Sequence, residues 1–201
     1  MPTIVKIDLD RALRGGQRVI VDLGCGERKL SGAIGVDCRD LPQVDVVADL
    51  EEGLAFLPDN SVDELRAEQV IEHVQNFELL MREIVRVLKS GGVCRVRVPH
   101  FTNPYGYSDY THKRLFGLYT FYYFAAPENQ LSRKVPNYCP DARIRIISVR
   151  LIFRRKQRLL QFLTRAFGWV INRSSSLQEW YEAKPWRVPC DEIEVVFTPD
   201  K

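Results

Sequence analysis

The residues best suited to chemistry are three histidines and a set of acids that stand beside glycines. Imidazole titrates near neutrality, so His73, His100 and His112 are the natural candidates for proton transfer. His112 lies in the stretch Tyr107-Ser108-Asp109-Tyr110-Thr111-His112-Lys113-Arg114. Asp109 precedes it by three positions, which on a helical turn puts carboxylate and imidazole on one face. In that arrangement a carboxylate orients a base. His112 with Asp109 is therefore the first candidate for a general base. His100 is the second, because it directly follows the apolar run Val93 to Val98 and Pro99. A capped helix start with a surface histidine is the plainer reading of the same stretch. His73, in Gln69-Val70-Ile71-Glu72-His73-Val74, reads more as a pocket-lining group than as a catalyst. No metal centre is expected. The spacing of the histidines matches no ligand motif, and Cys25, Cys38, Cys94, Cys139 and Cys190 form no C-x-x-C pair.

The elements that would position these groups alternate between strand and helix. Arg18 to Leu23 is a β-branched apolar run that ends at Gly24-Cys25-Gly26, a buried strand followed by a glycine loop. Ala33 to Asp37, Val44 to Ala48 and Val62 to Glu68 read as further strands. Phe77, Leu80, Met81, Ile84, Val85 and Leu88 repeat at helical spacing, and Gly91-Gly92 reads as the cap of that helix. Val93 to Val98 alternates as a strand, Ala142 to Phe153 suits another, Arg154 to Ile171 looks helical, and Glu192 to Phe197 looks like a closing strand. The pattern predicts an α/β fold: a mostly parallel sheet with helices on both faces and an antiparallel closing strand.

In such sheets a ligand binds beyond the carboxyl ends of the strands. Asp22, Gly24, Cys25, Gly26, Asp37, Asp49, Leu50, Glu68 and Gln69 all fall at those ends. Glycines let a ligand approach the backbone. An acid at the tip of the second strand can accept both hydroxyls of a ribose, and one at the tip of the third can accept an adenine amino group. The set reads as an adenosine pocket, although the same acids also suit turns and helix caps. A dinucleotide loop would place a third glycine where Lys29 stands, and no phosphate loop of the G-x-x-x-x-G-K-[ST] type occurs. A phosphate-free adenosine ligand fits better, and acids suit the sulfonium and ammonium of S-adenosylmethionine.

Five words of the sequence then fall in a familiar order: VDLGCGERK (21–29), GVDCRD (35–40), VVADLEEGLAFLPDNSVDEL (46–65), QVIEHV (69–74) and LLMREIVRVLKSGGVCRVRVPH (79–100). Over about half its length the chain resembles the class I S-adenosylmethionine-dependent methyltransferases, especially small bacterial type 11-like proteins of glycan and secondary-metabolite pathways. The resemblance implies a Rossmann-like fold with S-adenosylmethionine as cofactor. It implies that Gly24 and Gly26 face the cofactor, Asp37 binds its ribose and Asp49-Leu50 flank its adenine. Glu68 and Gln69 would lie at the methionine end, and His73 would line the site as in many relatives. The chain departs from the pattern at Ser90, where proline is usual, and the short span from Gly24 to Asp37 leaves room for a first helix of only a turn or two.

The rest of the sequence bounds the acceptor only loosely. Asn103-Pro104-Tyr105 resembles a base-methylating motif but follows the wrong strand, so it reads as a turn in a substrate loop. The aromatic run from Tyr105 to Phe124 suits a lid or a sugar-stacking wall mixed with core packing. The segment 150–173 is basic and apolar with no acid, which suits a solvated cover of the sheet, a pocket for a phosphorylated substrate or peripheral membrane contact. With 201 residues, 45% hydrophobic and 27% charged, the chain reads as one globular domain: a cofactor half (1–100), an acceptor or lid insertion (101–142) and a completing segment (143–201). Residues 1–100 hold 13 Lys/Arg against 17 Asp/Glu and residues 101–201 hold 16 against 9, so the net +3 divides into −4 and +7. The acidic half suits a cationic cofactor. No transmembrane run or secretory leader is apparent, so a cytoplasmic location is expected. The acceptor is expected to be a small molecule or glycan intermediate, methylated on oxygen, with no nucleic-acid partner. A non-catalytic cofactor-binding or partner protein with a degenerate acceptor site is the alternative.

Overall fold

The computed structural model describes residues 2–153, 158–185 and 188–201. Its centre is an eight-stranded sheet: β1 (Ile4–Val5), β2 (Ile20–Leu23), β3 (Ile34–Asp37), β4 (Val46–Val47), β5 (Val62–Glu68), β6 (Leu88–Pro99), β7 (Ile144–Ile152) and β8 (Glu192–Pro199). The order is β1-β4-β3-β2-β5-β6-β8-β7. The five strands from β4 to β6 run parallel, while β1 at one edge and β8 and β7 at the other pair antiparallel. The closing antiparallel strand is as expected, and β1 is an addition. All four residues of β3 are buried, as are Val21, Asp22 and Leu23, so both faces of the central strands are covered.

Among the described residues five α-helices accompany the sheet: α1 (Leu9–Arg14), α2 (Phe77–Val87), α3 (Pro104–Ser108), α4 (Arg158–Ile171) and α5 (Ser175–Glu182). Phe77, Leu80, Met81, Ile84 and Val85 of α2 are all buried, as its spacing requires, and Asn76 caps it by accepting the Leu79 N–H. Burial contributes about 2 kcal/mol for each such side chain. The helix ends earlier than its apolar pattern does. Leu88 is already extended and paired with Val62, and the loop N–H groups of Asn60 and Ser61 take the carbonyls of Arg86 and Val87. Gly91-Gly92 therefore does not cap α2. It lies within the irregular start of β6, where Gly91 turns the chain at φ 79°. Residues 24–33 hold no helix, so the short first helix expected there is replaced by a turn-rich loop. Of the helix expected from Arg154, residues 154–157 lie outside the described residues.

Candidate functional site

β2 has β3 on one side and β5 on the other, so the chain leaves it in both directions, and a crevice opens at its carboxyl end. Two adjoining clefts there share Gly24. One of about 180 Å³ is lined by Gly24, Asp37, Cys38, Asp49, Leu50, Val70 and His73. The other, of about 560 Å³, is lined by Asp22, Gly24, Cys25, Glu68 and Gln69 together with Arg28, Arg66, Arg97 and Glu192. Of the ten residues expected at the cofactor, only Gly26 lines neither cleft. A larger cavity between β7 and α4 shares no residue with them.

The glycine loop is held open by the acids beside it. Asp37 accepts N–H bonds from Gly26 at 2.9 Å and Arg39 at 2.9 Å, one on each oxygen. Asp22 accepts the Leu30 N–H at 2.8 Å, which folds the far end of the loop back onto β2. Burial raises the Asp22 pKa, while the Leu30 bond opposes that. Burial also pushes the Cys25 thiol up to about 11, with the charges of Asp22 and Asp37 adding to it, so Cys25 is a neutral wall rather than a nucleophile. Gly24 adopts φ 64° and packs directly under Val70, a position no side chain could share. Lys29, at the place of a third motif glycine, pairs with Asp45 at 2.8 Å and lies against Gly35. Asp49 caps the 3-10 turn Leu50–Glu52 through the Glu51 N–H while lining the smaller cleft, so capping and pocket roles coexist.

At the larger cleft Glu68 bonds Arg97, and the Gln69 amide reaches Glu192 at 3.4 Å. Gln69 itself sits at φ 54°. Sequence reasoning missed Arg66, Arg97 and Glu192. The register of β2, β5 and β6 sets Arg66 beside Asp22 and Arg97 beside Glu68, and single-strand patterns do not show such cross-strand neighbours.

The histidines separate into two groups. His100 is fully buried: its Nε2 lies 3.1 Å from Glu182, and its Nδ1 faces the Thr102 hydroxyl at 2.8 Å. It does not reach the crevice as expected, because β8 and α5 close over it, and it serves as a packing and hydrogen-bonding post. His73 and His112 instead stand edge to face with ring centroids 4.8 Å apart. The His112 Nδ1 lies 3.0 Å from the Gly106 carbonyl, which can only accept, so Nδ1 carries the proton and Nε2 the lone pair. The Thr111 hydroxyl donates to Asp109 and therefore accepts from His73 Nδ1 at 2.9 Å, which again leaves Nε2 with the lone pair. Burial first, and the neighbouring His112 second, lower the His73 pKa, so that ring is neutral at neutral pH.

Asp109 lies 3.7 Å from His112 Nε2, on a turn rather than a helix, and is held there by the Thr111 N–H. It does not orient the His112 tautomer as the spacing suggested. It orients His73 through Thr111 and faces the side of His112 that would become positive. Glu72, which sequence reasoning also passed over, is 1% exposed beside this pair, and among the described residues neither carboxylate oxygen has a hydrogen-bond partner. Its position among Val70, Ile71 and Val74, an acid inside an apolar word, was the available signal. Glu72, His73 and His112 each offer one ligand-type atom, all within 4.8 Å of one another, a grouping that the linear spacing concealed.

A family model described as "Methyltransferase domain" matches residues 21–96, the span from β2 into β6 that carries both clefts. Among solved structures, an S-adenosylmethionine-dependent methyltransferase from Archaeoglobus fulgidus is similar over 90% of this chain and 86% of its own, at 18% identity and TM-score 0.56. One from Mesorhizobium loti is similar over 92% and 95%, at 17% and 0.52. Phosphoethanolamine N-methyltransferase 2 of Haemonchus contortus, in complex with S-adenosyl-L-methionine, is similar over 96% of this chain and 52% of its own, at 15% and 0.51. No curated protein matches. The doubly flanked β2 and its glycine loop lie within the residues that match the methyltransferase-domain model, and the fold is the one these S-adenosylmethionine-dependent methyltransferases share.

Proposed function

We propose that the protein transfers the S-adenosylmethionine methyl group to an oxygen of a small molecule or glycan intermediate. In this reading Asp37 receives the ribose hydroxyls, Asp49 and Leu50 flank the adenine, and Gly24 and Gly26 offer backbone to the cofactor. Asp22, Cys25, Glu68 and Gln69 surround the methionine end, where Arg66 and Arg97 suit its carboxylate. His73 forms the wall between cofactor and acceptor. Transfer from a sulfonium is an in-line displacement, so alignment does most of the catalysis. A hydroxyl acceptor must also lose its proton, and His112 is the group proposed to take it. The observation that carries this is the fixed tautomer of His112: Gly106 holds Nδ1–H, the Nε2 lone pair remains for an incoming hydroxyl, and Asp109 stands ready to stabilise the imidazolium.

The acceptor loop suits such a molecule, because Tyr105, Tyr107 and Tyr110 are exposed around α3 while Phe116, Phe121 and Phe124 fill the core. The Asn103-Pro104-Tyr105 triplet starts α3, with Asn103 as its cap. The segment 150–173 exposes Phe162, Leu163, Trp169 and Val170, which supports peripheral contact with an anionic membrane as a secondary property. No helix among the described residues is long and apolar enough to cross a membrane.

The test is methyl transfer from labelled cofactor to a panel of hydroxylated and amino acceptors, with product analysis of the methylated atom. His112→Ala is expected to lower kcat by about 10²–10⁴-fold while S-adenosylhomocysteine binds as before. Exclusive N-methylation, or full activity in His112→Ala, would overturn the reading.

A further inference from the structure

We propose that Glu72, His73 and His112 bind one divalent transition-metal ion, through the Glu72 carboxylate and the Nε2 atoms of the two histidines. Three independent features of the site converge on this.

The first is Glu72. It is 1% exposed, and both carboxylate oxygens are buried without a hydrogen-bond partner among the described residues. A buried carboxylate costs several kcal/mol unless it is paired or coordinates a metal. Among the described residues no side chain offers it a hydrogen bond that would relieve this cost.

The second is the pair of tautomers. A metal-bound histidine donates its other ring N–H to a carbonyl or carboxylate, which fixes the ring and raises the basicity of the ligating nitrogen. Both histidines here are held that way: His112 by the Gly106 carbonyl, and His73 by Thr111, whose hydroxyl passes the bond on to Asp109. Neither Nε2 is engaged in a short bond, and that of His112 faces Asp109 at 3.7 Å across a gap. A lone pair and a carboxylate so opposed repel each other unless a cation or proton stands near.

The third is preorganisation. The Lys113 N–H bonds the Glu72 carbonyl at 2.8 Å, and Arg114 bonds the carbonyls of Val74 and Gln75. The loop that carries His112 is thus stapled to the turn that carries Glu72 and His73, and one ligand-type atom from each of the three residues lies within 4.8 Å of the others. Two imidazoles and a carboxylate form a donor set that suits zinc and its first-row neighbours, and three protein ligands leave coordination positions open.

His73 also lines the smaller cleft beside Gly24, so the proposed ion adjoins the cofactor crevice. This rests on the O-methylation reading for its role, and it replaces the step in that reading by which His112 takes the acceptor proton. An acceptor hydroxyl coordinated to the ion would be acidified by it and give its proton to solvent; its oxygen would then bond the methyl carbon as the carbon–sulfur bond breaks and S-adenosylhomocysteine leaves. His112 then serves as a ligand rather than as the proton acceptor.

The test separates the site from the reaction. Chelator-stripped protein is titrated calorimetrically with Zn²⁺ and Mn²⁺, and with Co²⁺ while its visible absorption is followed. One ion per chain with a Co²⁺ band typical of nitrogen ligation is expected. Glu72→Gln and His112→Ala are each expected to weaken binding by more than the roughly 10–100-fold that outer-shell changes cost. S-adenosylhomocysteine affinity checks that each variant is folded, and Glu72→Gln, being nearly isosteric, covers the case in which His112→Ala is not. Absence of stoichiometric binding in the wild type, or wild-type affinity in folded Glu72→Gln, refutes the site. If the ion binds but stripped and loaded enzyme methylate equally, its role in acceptor activation is refuted and O-methylation stands.

Discussion

A methyl group added at position 24 tests the crevice geometry most directly. Gly24 holds φ 64°, and an ideal Cβ there would lie 2.4 Å from Val70 Cγ2 and 2.5 Å from Val70 Cβ. The left-handed backbone costs an alanine about 1–2 kcal/mol. Overpacking against Val70 adds about 1–3 kcal/mol, and the reduced freedom of the unfolded chain returns at most about 1 kcal/mol. A net loss of ~3 kcal/mol lowers the Tm of a domain this size by about 6–12 °C. Because Val70 lines the same cleft as Asp37 and Asp49, its displacement also weakens S-adenosylhomocysteine binding. The overlap and the strain separate in a double-mutant cycle. Val70→Ala leaves a Cβ still 2.5 Å from the added methyl and relieves little. Val70→Gly removes the whole obstacle and recovers the overlap, but not the backbone strain. Thermal unfolding and calorimetric titration of wild type, the three single variants and the two double variants give both quantities. Gly24→Ala melting within a degree of wild type, or Val70→Ala rescuing as fully as Val70→Gly, would refute the reasoning.

Further outcomes follow from neighbouring contacts. Asp37→Ala removes the acceptor of the Gly26 and Arg39 N–H groups together with the proposed ribose ligand, so S-adenosylhomocysteine affinity should fall at least ~10-fold by calorimetry, since a charged hydrogen bond contributes about 1.5–3 kcal/mol. His100→Ala should cost about 2 kcal/mol in urea unfolding by removing the partner of Glu182 Oε2 and of the Thr102 N–H, yet leave kcat per folded enzyme unchanged; a selective loss of kcat would make His100 catalytic after all. The Arg86 bond, against some opposing burial, holds the Glu83 carboxyl below its ordinary range. A depressed folded pKa gives stability that is present above the unfolded value and lost as pH falls through the folded one. Glu83→Gln keeps an acceptor for the Leu54 N–H but loses the charge, so it should be about 1 kcal/mol less stable than wild type at pH 7 and converge with it in acid. A difference that grew toward low pH would contradict this.

What the chain shows in one dimension depends on how local each feature is. The glycine loop and the acids at the strand tips were legible because each is written beside the strand that aims it, and nine of the ten residues so chosen line the clefts. The true end of α2 was hidden, because Leu88 obeys helical periodicity while the β5 pairing with Val62 claims it for the sheet. His100 was misplaced for a related reason. Following a strand tip predicts exposure to the crevice only where no later element covers it, and here β8 and α5 arrive from the end of the chain to bury it. The Glu72 cluster required the most distant information. Glu72 and His73 occupy one turn, but His112 joins them only because Lys113 and Arg114 bond the backbone of residues 72–75, and no spacing rule encodes a loop stapled by carbonyl groups. An acid set among apolar neighbours was the single local sign. Its burial without a partner means that either a cation or a proton must balance it, and both tautomers beside it are set to receive the cation.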